Sequence, residues 1–159
     1  TIGLAQGGIV ELRGGGEYRA KLAPGRVGEV GTLTVGTDGA SNQLQFVTLT
    51  HLLLDVGGTE SDLLDVKGAL SIGNDCAVYI DGALGAGANY TLITYDSCTG
   101  GFGEVYYNGM LVVDPTEPNS IGGTHNLVYS TNALMLVPEP ATLTLLALGG
   151  LALLRRRRR

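Results

Sequence analysis

The segment Gly31-Thr32-Leu33-Thr34-Val35-Gly36 recurs in altered form further along the chain as Gly68-Ala69-Leu70-Ser71-Ile72-Gly73. Both copies follow one template: a glycine, a small residue, a leucine, a hydroxyl residue, a β-branched residue and a second glycine. Alternation of apolar and polar side chains predicts a β-strand with one buried face, and the flanking glycines predict tight turns. The template therefore predicts short strands separated by sharp corners.

Leucines recur at similar offsets outside the template. Equivalent inward positions are assigned to Leu12, Leu33, Leu52, Leu70 and Leu92, which follow one another at nearly constant spacing. A regular repeat built from short strands predicts a solenoid in which each turn stacks on the previous one. We predict an all-β fold, a parallel β-helix with rungs of about 20 residues. A β-sandwich, with turns about every 8 to 12 residues, is the alternative.

The composition agrees with an all-β domain and excludes one class of partner. Glycine contributes 26 of the 159 residues and tryptophan is absent, which favours many tight turns, while 44% hydrophobic residues permit a buried core. Five of the ten basic residues are the terminal arginines, so residues 1–154 carry 15 acidic groups against five basic ones, a net charge of about −10. A protein with this charge repels nucleic acid, and no nucleic-acid partner is predicted.

The chain ends in VPEPATLTLLALGGLALLRRRRR, residues 137–159. The uncharged segment 141–154 makes a helix of about 21 Å, short for a hydrocarbon core of about 30 Å. Arginines directly after the helix would leave the preceding chain on the non-cytoplasmic side of a membrane. We predict a short apolar membrane helix at 141–154, with a buried C-terminal helix as the alternative. The flanking basic residues are Arg155, Arg156, Arg157, Arg158 and Arg159.

The order Val137-Pro138-Glu139-Pro140, apolar stretch, arginine cluster resembles the PEP-CTERM sorting signal of Gram-negative bacteria, a family also named "ice-binding protein C-terminal". The resemblance implies export and transient anchoring in the inner membrane with the N-terminal side out. It also implies processing near Pro138 to Pro140 by an exosortase-type membrane transpeptidase. The product would then lie at the cell surface or outside the cell, often in an exopolysaccharide matrix. In this interpretation Glu139 is a recognition residue.

The residues before the tail resemble a second family. The stretch from Ser61 to Gly73, the segment from Asn89 to Tyr95 and the following Gly101-Phe102 are similar to the autotransporter-associated β-strand repeat of bacterial surface proteins. The resemblance spans approximately positions 28–113 and implies an exported, scaffold-like parallel β-helix without catalytic residues.

These patterns divide the chain into three parts. Residues 1–113 are predicted to be the β-helical repeat region and, because the chain begins at Thr1, to be the C-terminal part of a longer precursor. Residues 114–136 are predicted to form closing strands and a turn-rich cap. Residues 137–159 are the sorting signal, made up of the motif 137–140, the apolar helix 141–154 and the arginine cluster 155–159.

Cys76 and Cys98 are the two cysteines of the chain, and their separation in sequence is close to one predicted repeat. Neighbouring rungs of a β-helix lie about 4.8 Å apart, which is within reach of disulfide geometry. The sequence thus allows a disulfide between them, with two free buried thiols as the alternative. Two cysteines and two distant histidines lack the paired spacing of a structural zinc site, and no metal or cofactor is predicted.

The remaining polar residues do not form a catalytic motif. His51 is expected on the outer face of a strand, and His125 is expected to be solvated in a turn-rich segment. Asp62 and Asp65 are interpreted as solvated turn carboxylates, with an acid–base pair of a polysaccharide-cleaving enzyme as the alternative. No catalytic residue is predicted.

Aromatic residues cluster near the end of the repeat region. They are expected to close the open end of the solenoid, and contact with sugar rings is the alternative. The group comprises Tyr90, Tyr95, Phe102, Tyr106 and Tyr107.

Two classes of function fit these features. The first is an exported, non-catalytic surface or matrix protein sorted through its tail. The second is the C-terminal part of an exported enzyme that degrades polysaccharide or protein, with its catalytic portion upstream.

Overall fold

The computed structural model of the protein describes residues 8–26, 28–38, 41–112 and 120–138. Within these ranges the regular structure is entirely β, and each strand is short because glycine or polar turns interrupt it. The strands are β1 (Ile9–Arg13), β2 (Ala20–Leu22), β3 (Thr32–Val35), β4 (Asn42–Thr48), β5 (Thr50–Gly58), β6 (Glu60–Ser61), β7 (Leu63–Val66), β8 (Gly68–Ile72), β9 (Ala77–Leu84), β10 (Tyr90–Thr94), β11 (Ser97–Gly100), β12 (Glu104–Tyr107), β13 (Met110–Val112), β14 (His125–Tyr129) and β15 (Ala133–Pro138).

The strands form three sheets that make the three faces of a solenoid. Face one has the order β1-β4-β8-β11, face two β2-β5-β9-β12-β13, and face three β3-β7-β10-β15-β14, with β6 paired to β5. Successive strands from β1 to β12 pair in parallel along each face. This is a β-solenoid of about three turns. The predicted all-β solenoid is confirmed, and the alternative of a β-sandwich is wrong.

The predicted rung length is wrong, because the turns of the solenoid are longer than the repeat read from the leucines. On face two, Leu22 pairs with Leu52 and Leu52 in turn pairs with Val78. On face one, Ala69 pairs with Ser97. The error arose because one turn contains three similar strands, so equivalent-looking leucines belong to different faces. Leu12 and Leu70 lie on face one, Leu52 on face two, and Leu33 and Leu92 on face three.

The alternation read from the sequence fills the core. In β5, Leu52, Leu54 and Val56 are buried while the residues between them are partly exposed. Buried residues of one turn stack on those of the next, as in the parallel pairs Leu44–Leu70 and Leu64–Ile93. Because each turn covers the apolar row of the previous one, burial of these side chains stabilises the stacking of turns as well as each strand.

The template glycines lie at corners where successive turns touch. Gly68 has φ 151° and pairs with Asn42 of the preceding turn. A Cβ atom at Gly68 would overlap the carbonyl oxygen of Asn42, and one at Gly73 would overlap the carbonyl oxygen of Val47. Glycine is therefore required here for close approach of backbones as well as for turning.

Two antiparallel hairpins end the parallel stacking. β13 pairs with β12 on face two, and the hairpin β14–β15 joins face three by pairing β15 with β10. Tyr95 anchors the second hairpin, because its hydroxyl donates to the carbonyl oxygen of Ser130 and its N–H to that of Asn132, both at 3.0 Å. Tyr90 and Tyr95 of the predicted aromatic group are buried in the core beneath this hairpin.

Burial gives Tyr95 a measurable signature at high pH. Desolvation raises the pKa of Tyr95 from 10.0 to about 12. As the pH rises, Tyr95 loses its proton in the unfolded chain before it does so in the folded protein. The contribution of Tyr95 to the free energy of unfolding is therefore complete below pH 10, and about 2 to 3 kcal/mol is lost as the pH rises towards 12. We expect Tyr95→Phe to cost about 1 kcal/mol at neutral pH and to flatten this alkaline loss. Urea unfolding of the wild-type protein and Tyr95→Phe from pH 8 to 12 tests this. The same dependence of the free energy of unfolding on pH in both proteins would contradict it.

The predicted helix at 141–154 lies outside the described residues. Among the residues that are described, no helix is long and apolar enough to cross a membrane.

Candidate functional site

The sorting motif begins inside the last strand of the solenoid. Val137 and Pro138 are the final residues of β15, where Val137 pairs with Asn126 and Pro138 with His125 of β14. Both are half-buried. Glu139, Pro140, the apolar segment 141–154 and the arginines 155–159 lie outside the described residues. The structure thus shows how the motif is joined to the folded domain.

His125 lies beneath this junction, and the expectation that it is solvated was wrong. Its side chain is fully buried, 5.7 Å from Tyr90 between ring centroids. Because a carbonyl oxygen can only accept, His125 donates Nε2–H to the carbonyl oxygen of Ala88 (2.8 Å), and Nδ1 accepts the hydroxyl of Thr124 (2.7 Å). The imidazole therefore joins the start of β14 to the turn before β10.

The expectation of a solvated carboxylate at Asp62 was also wrong. Asp62 is 1% exposed and accepts hydrogen bonds from the N–H groups of Gly31 (2.6 Å) and Asp55 (2.9 Å). Burial raises its pKa, while these backbone bonds act in the opposite direction. Asp62 thus fastens the segment that enters β3 to the neighbouring turn of the solenoid.

Asp65, the other candidate of the acid–base pair, has separate partners. It accepts the hydroxyl of Thr94 (2.7 Å) and forms an ion pair with Lys67 (3.1 Å), which also binds Asp38 (3.3 Å). These carboxyl contacts raise the pKa of Lys67. Asp62 and Asp65 are therefore both engaged by other groups of the fold, one in the interior and one on the surface of face three.

Cys76 and Cys98, between which the sequence allows a disulfide, are not bonded to each other in the structure. Both thiols are free, Cys76 being buried and Cys98 half-buried. Cys98 stacks on Leu70 of face one, whereas the carbonyl oxygen of Cys76 accepts the N–H of Gly103 at the start of the face-two strand β12. Their separation in sequence is less than one full turn, so the cysteines do not occupy equivalent positions on neighbouring rungs. Burial raises the pKa of the Cys98 thiol.

Three rings form a row on the outer side of face two. Tyr79 and Tyr106 stack in parallel with centroids 4.5 Å apart, and His51 lies 4.9 Å from Tyr79. Burial lowers the pKa of His51, and the nearby Arg19 and Lys21 lower it further. The row crosses three successive turns, and the faces of its rings contact one another. Tyr79 was not among the aromatic residues singled out from the sequence, although its alternation with the inward Val78 and Ile80 indicates an outward position.

We expect the stacked tyrosines to be energetically coupled. Single and double alanine substitutions at Tyr79 and Tyr106 should show a coupling energy of about 0.5 to 1.5 kcal/mol, typical of aromatic pairs. The control cycle pairs Tyr79 with Tyr18, which is 84% exposed, and should show coupling within about 0.3 kcal/mol. Equal coupling in the two cycles would show that the ring contact contributes nothing beyond burial.

The described part of the chain contains no group of three or more His, Cys, Asp or Glu side chains that could hold a metal ion.

Comparison with known proteins identifies the tail. Residues 136–159 match the family described as the PEP-CTERM protein-sorting motif, which confirms the sequence-based prediction of this motif. No curated protein and no solved structure matches the chain. A motif of this kind implies export to the cell envelope or surface and sorting by an exosortase, a membrane transpeptidase.

Proposed function

We propose that this chain is an exported, non-catalytic β-solenoid protein of the cell surface or extracellular matrix, delivered there by exosortase processing of its tail. The observation that carries the proposal is the sorting motif at residues 136–159, directly continuous with the last strand of a solenoid. The solenoid is the type of fold expected from the resemblance to autotransporter-associated repeats, which we retain as part of the proposal.

A transient stay in the inner membrane is part of this function. The uncharged segment 141–154 would enter the bilayer and the arginines 155–159 would stay on the cytoplasmic side, so the solenoid lies outside. A helix of about 21 Å is short for a permanent span, which favours an anchor that is later removed.

A scaffold role is supported by how the fold uses its polar groups. Asp62 and His125 are buried and hold backbone segments together, and Asp65 is paired with Lys67. Side chains committed in this way are poorly placed to exchange protons with a substrate. The free thiols are also unsuited to nucleophilic attack, because burial raises the pKa of Cys98 and Cys76 is enclosed in the core.

Exopolysaccharide is the partner we propose for the solenoid. Arg19 and Lys21 are exposed and have no ion-pair partner among the described residues, and both lie near the ring row of face two. Their N–H groups can bind sugar hydroxyls or carboxylates. Co-sedimentation with the host exopolysaccharide should therefore weaken in an Arg19→Ala/Lys21→Ala variant. Unchanged binding would exclude this surface.

Intact mass and localisation in the native host test the sorting function. The protein is compared between a normal strain and a strain that lacks the transpeptidase. We expect the extracellular product to lose its arginine-rich end only when the enzyme is present. A Glu139→Ala variant should be retained by the cell, and a Glu104→Ala variant, altered at an exposed carboxylate of the solenoid, should be processed normally. A full tail on cell-retained protein in both strains would refute the proposal.

A further inference from the structure

The sorting motif and the folded domain share residues. The matched motif begins at residue 136, whereas β15 extends to Pro138. Leu136, Val137 and Pro138 therefore belong both to the segment that a processing enzyme recognises and to the last strand that joins face three.

These shared residues are held firmly by the solenoid. Leu136 is fully buried and pairs with Tyr90 of β10 on one side and with Leu127 of β14 on the other. Val137 and Pro138 continue the pairing with β14 alone, opposite Asn126 and His125. The hairpin is stabilised by the buried side chains of Leu127 and Leu134 and by the hydrogen bonds of His125.

A transpeptidase requires its substrate as an accessible, unpaired stretch of chain. A cut before Pro138 would require the end of β15 to leave β14, and opening that extends to Leu136 would also break its pairing with β10 and expose this buried side chain. Chain cleavage occurs in segments that are open or that open locally at a low cost in free energy. Paired strands in a core open only at a high cost. The bonds up to Val137–Pro138 are therefore protected for as long as the domain is folded.

We infer that the folded hairpin β14–β15 sets the limit of processing, so that the cut bond lies C-terminal to Pro138. This inference rests on the proposed sorting function. A nucleophilic side chain of the enzyme attacks the carbonyl carbon before the cut, the C–N bond breaks, and the nucleophile's proton passes to the amine of the departing tail. The acyl group then passes to an acceptor amine or to water, which returns a proton to the nucleophile.

The position of the cut preserves the closed end of the solenoid. A cut in β15 before Leu136 would remove that residue and leave Tyr90 and Leu127 without their neighbour. A cut beyond Pro138 removes the tail and leaves the buried residues of β15 in place. The released protein would therefore retain Val137 and Pro138 and remain folded.

The C-terminal residue of the processed protein tests the inference in the host. The full chain is produced with its transpeptidase, and the C-terminus of the extracellular product is read by mass spectrometry. We expect the product to end at residue 138 or later. A product that ends at or before Val137 would overturn the inference but leave the sorting function intact. Absence of any processing would refute the sorting function instead. The protection of β15 is then tested separately by the rate at which a protease cuts this strand.

Proteolysis tests the protection without the transpeptidase. A protease that cuts beside aliphatic residues is applied to the full chain, native or unfolded in urea, and cuts between Leu134 and Val137 are timed. We expect these cuts to be about tenfold slower, or more, in the native protein. Leu127→Ala should accelerate them about tenfold, and Val128→Ala, at the exposed neighbour, less than about threefold. Equal rates in native and unfolded protein would overturn the inference even if Leu127→Ala does not fold.

Discussion

Replacing Gly68 by alanine is expected to lower the free energy of unfolding by about 2 to 6 kcal/mol, because two costs combine at this corner. The backbone at φ 151° is strained for any residue with a Cβ atom, which costs about 1 to 3 kcal/mol. The new methyl group would also overlap the carbonyl oxygen of Asn42, and overpacking of this kind costs about 1 to 3 kcal/mol. Because Asn42 and Gly68 are paired strand residues, neither backbone can move without disturbing face one.

The matched control is Gly57→Ala. Gly57 lies near the end of β5, its φ is not positive, and no atom lies within 4 Å of a Cβ atom placed there. We expect this substitution to change stability by less than about 0.5 kcal/mol. Urea unfolding followed by far-ultraviolet circular dichroism suits both variants, since the chain has no tryptophan. Similar losses in the two variants would mean that close contact between turns does not limit the fold.

Asp62→Ala is expected to cost about 3 kcal/mol, because it leaves two partly buried donors without their acceptor. The donors are the N–H groups of Gly31 and Asp55, and each unsatisfied donor costs about 1 to 3 kcal/mol. Part of the loss is offset because the variant no longer buries a carboxyl group, whose raised pKa shows that burial disfavours its charge. Asp62→Asn keeps one acceptor oxygen and should show an intermediate loss of about 1 to 2 kcal/mol.

Asp81→Ala provides the comparison for Asp62. Asp81 is also an aspartate of the solenoid, on β9, but its side chain is exposed. We expect its replacement to change stability by less than about 0.5 kcal/mol. Denaturant midpoints of the three variants at pH 7 measure the effects. Equal stability of Asp62→Ala and Asp81→Ala would show that the hydrogen bonds of Asp62 to the segment before β3 do not stabilise the fold.

The strands could be predicted from sequence, whereas their stacking could not. Alternation within Leu52–Val56 and within the two glycine templates is a property of consecutive residues, and the structure confirms strands there. The rung length depends on which strand lies against which, and three similar strands in each turn make the spacing ambiguous. The predicted period mixed the spacing between strands of one turn with the spacing between turns. The assignment of Cys76 and Cys98 to equivalent positions on neighbouring rungs rested on the same period.

The candidate site residues also divide into those that the sequence alone could assign and those that needed the tertiary structure. The sorting motif was recognisable because its residues are contiguous, and the comparison confirms it. Asp62 and His125 were assigned to solvent because polar residues in turn-rich segments are usually exposed. Their burial depends on partners distant in sequence: Gly31 for Asp62, and Ala88 for His125.

The sequence by itself determined the tail motif, the inward and outward sides of the strands and the acidic character of the chain before the tail. Each of these is carried by local order or by composition, which contacts between distant segments do not alter. Only the tertiary structure decided the length of a turn, the burial of Asp62 and His125, the separation of the cysteines and the start of the motif inside β15. These features depend on contacts between segments that lie apart in sequence, such as β5 with β9 and β10 with β15, and those contacts result from the packing of the whole core.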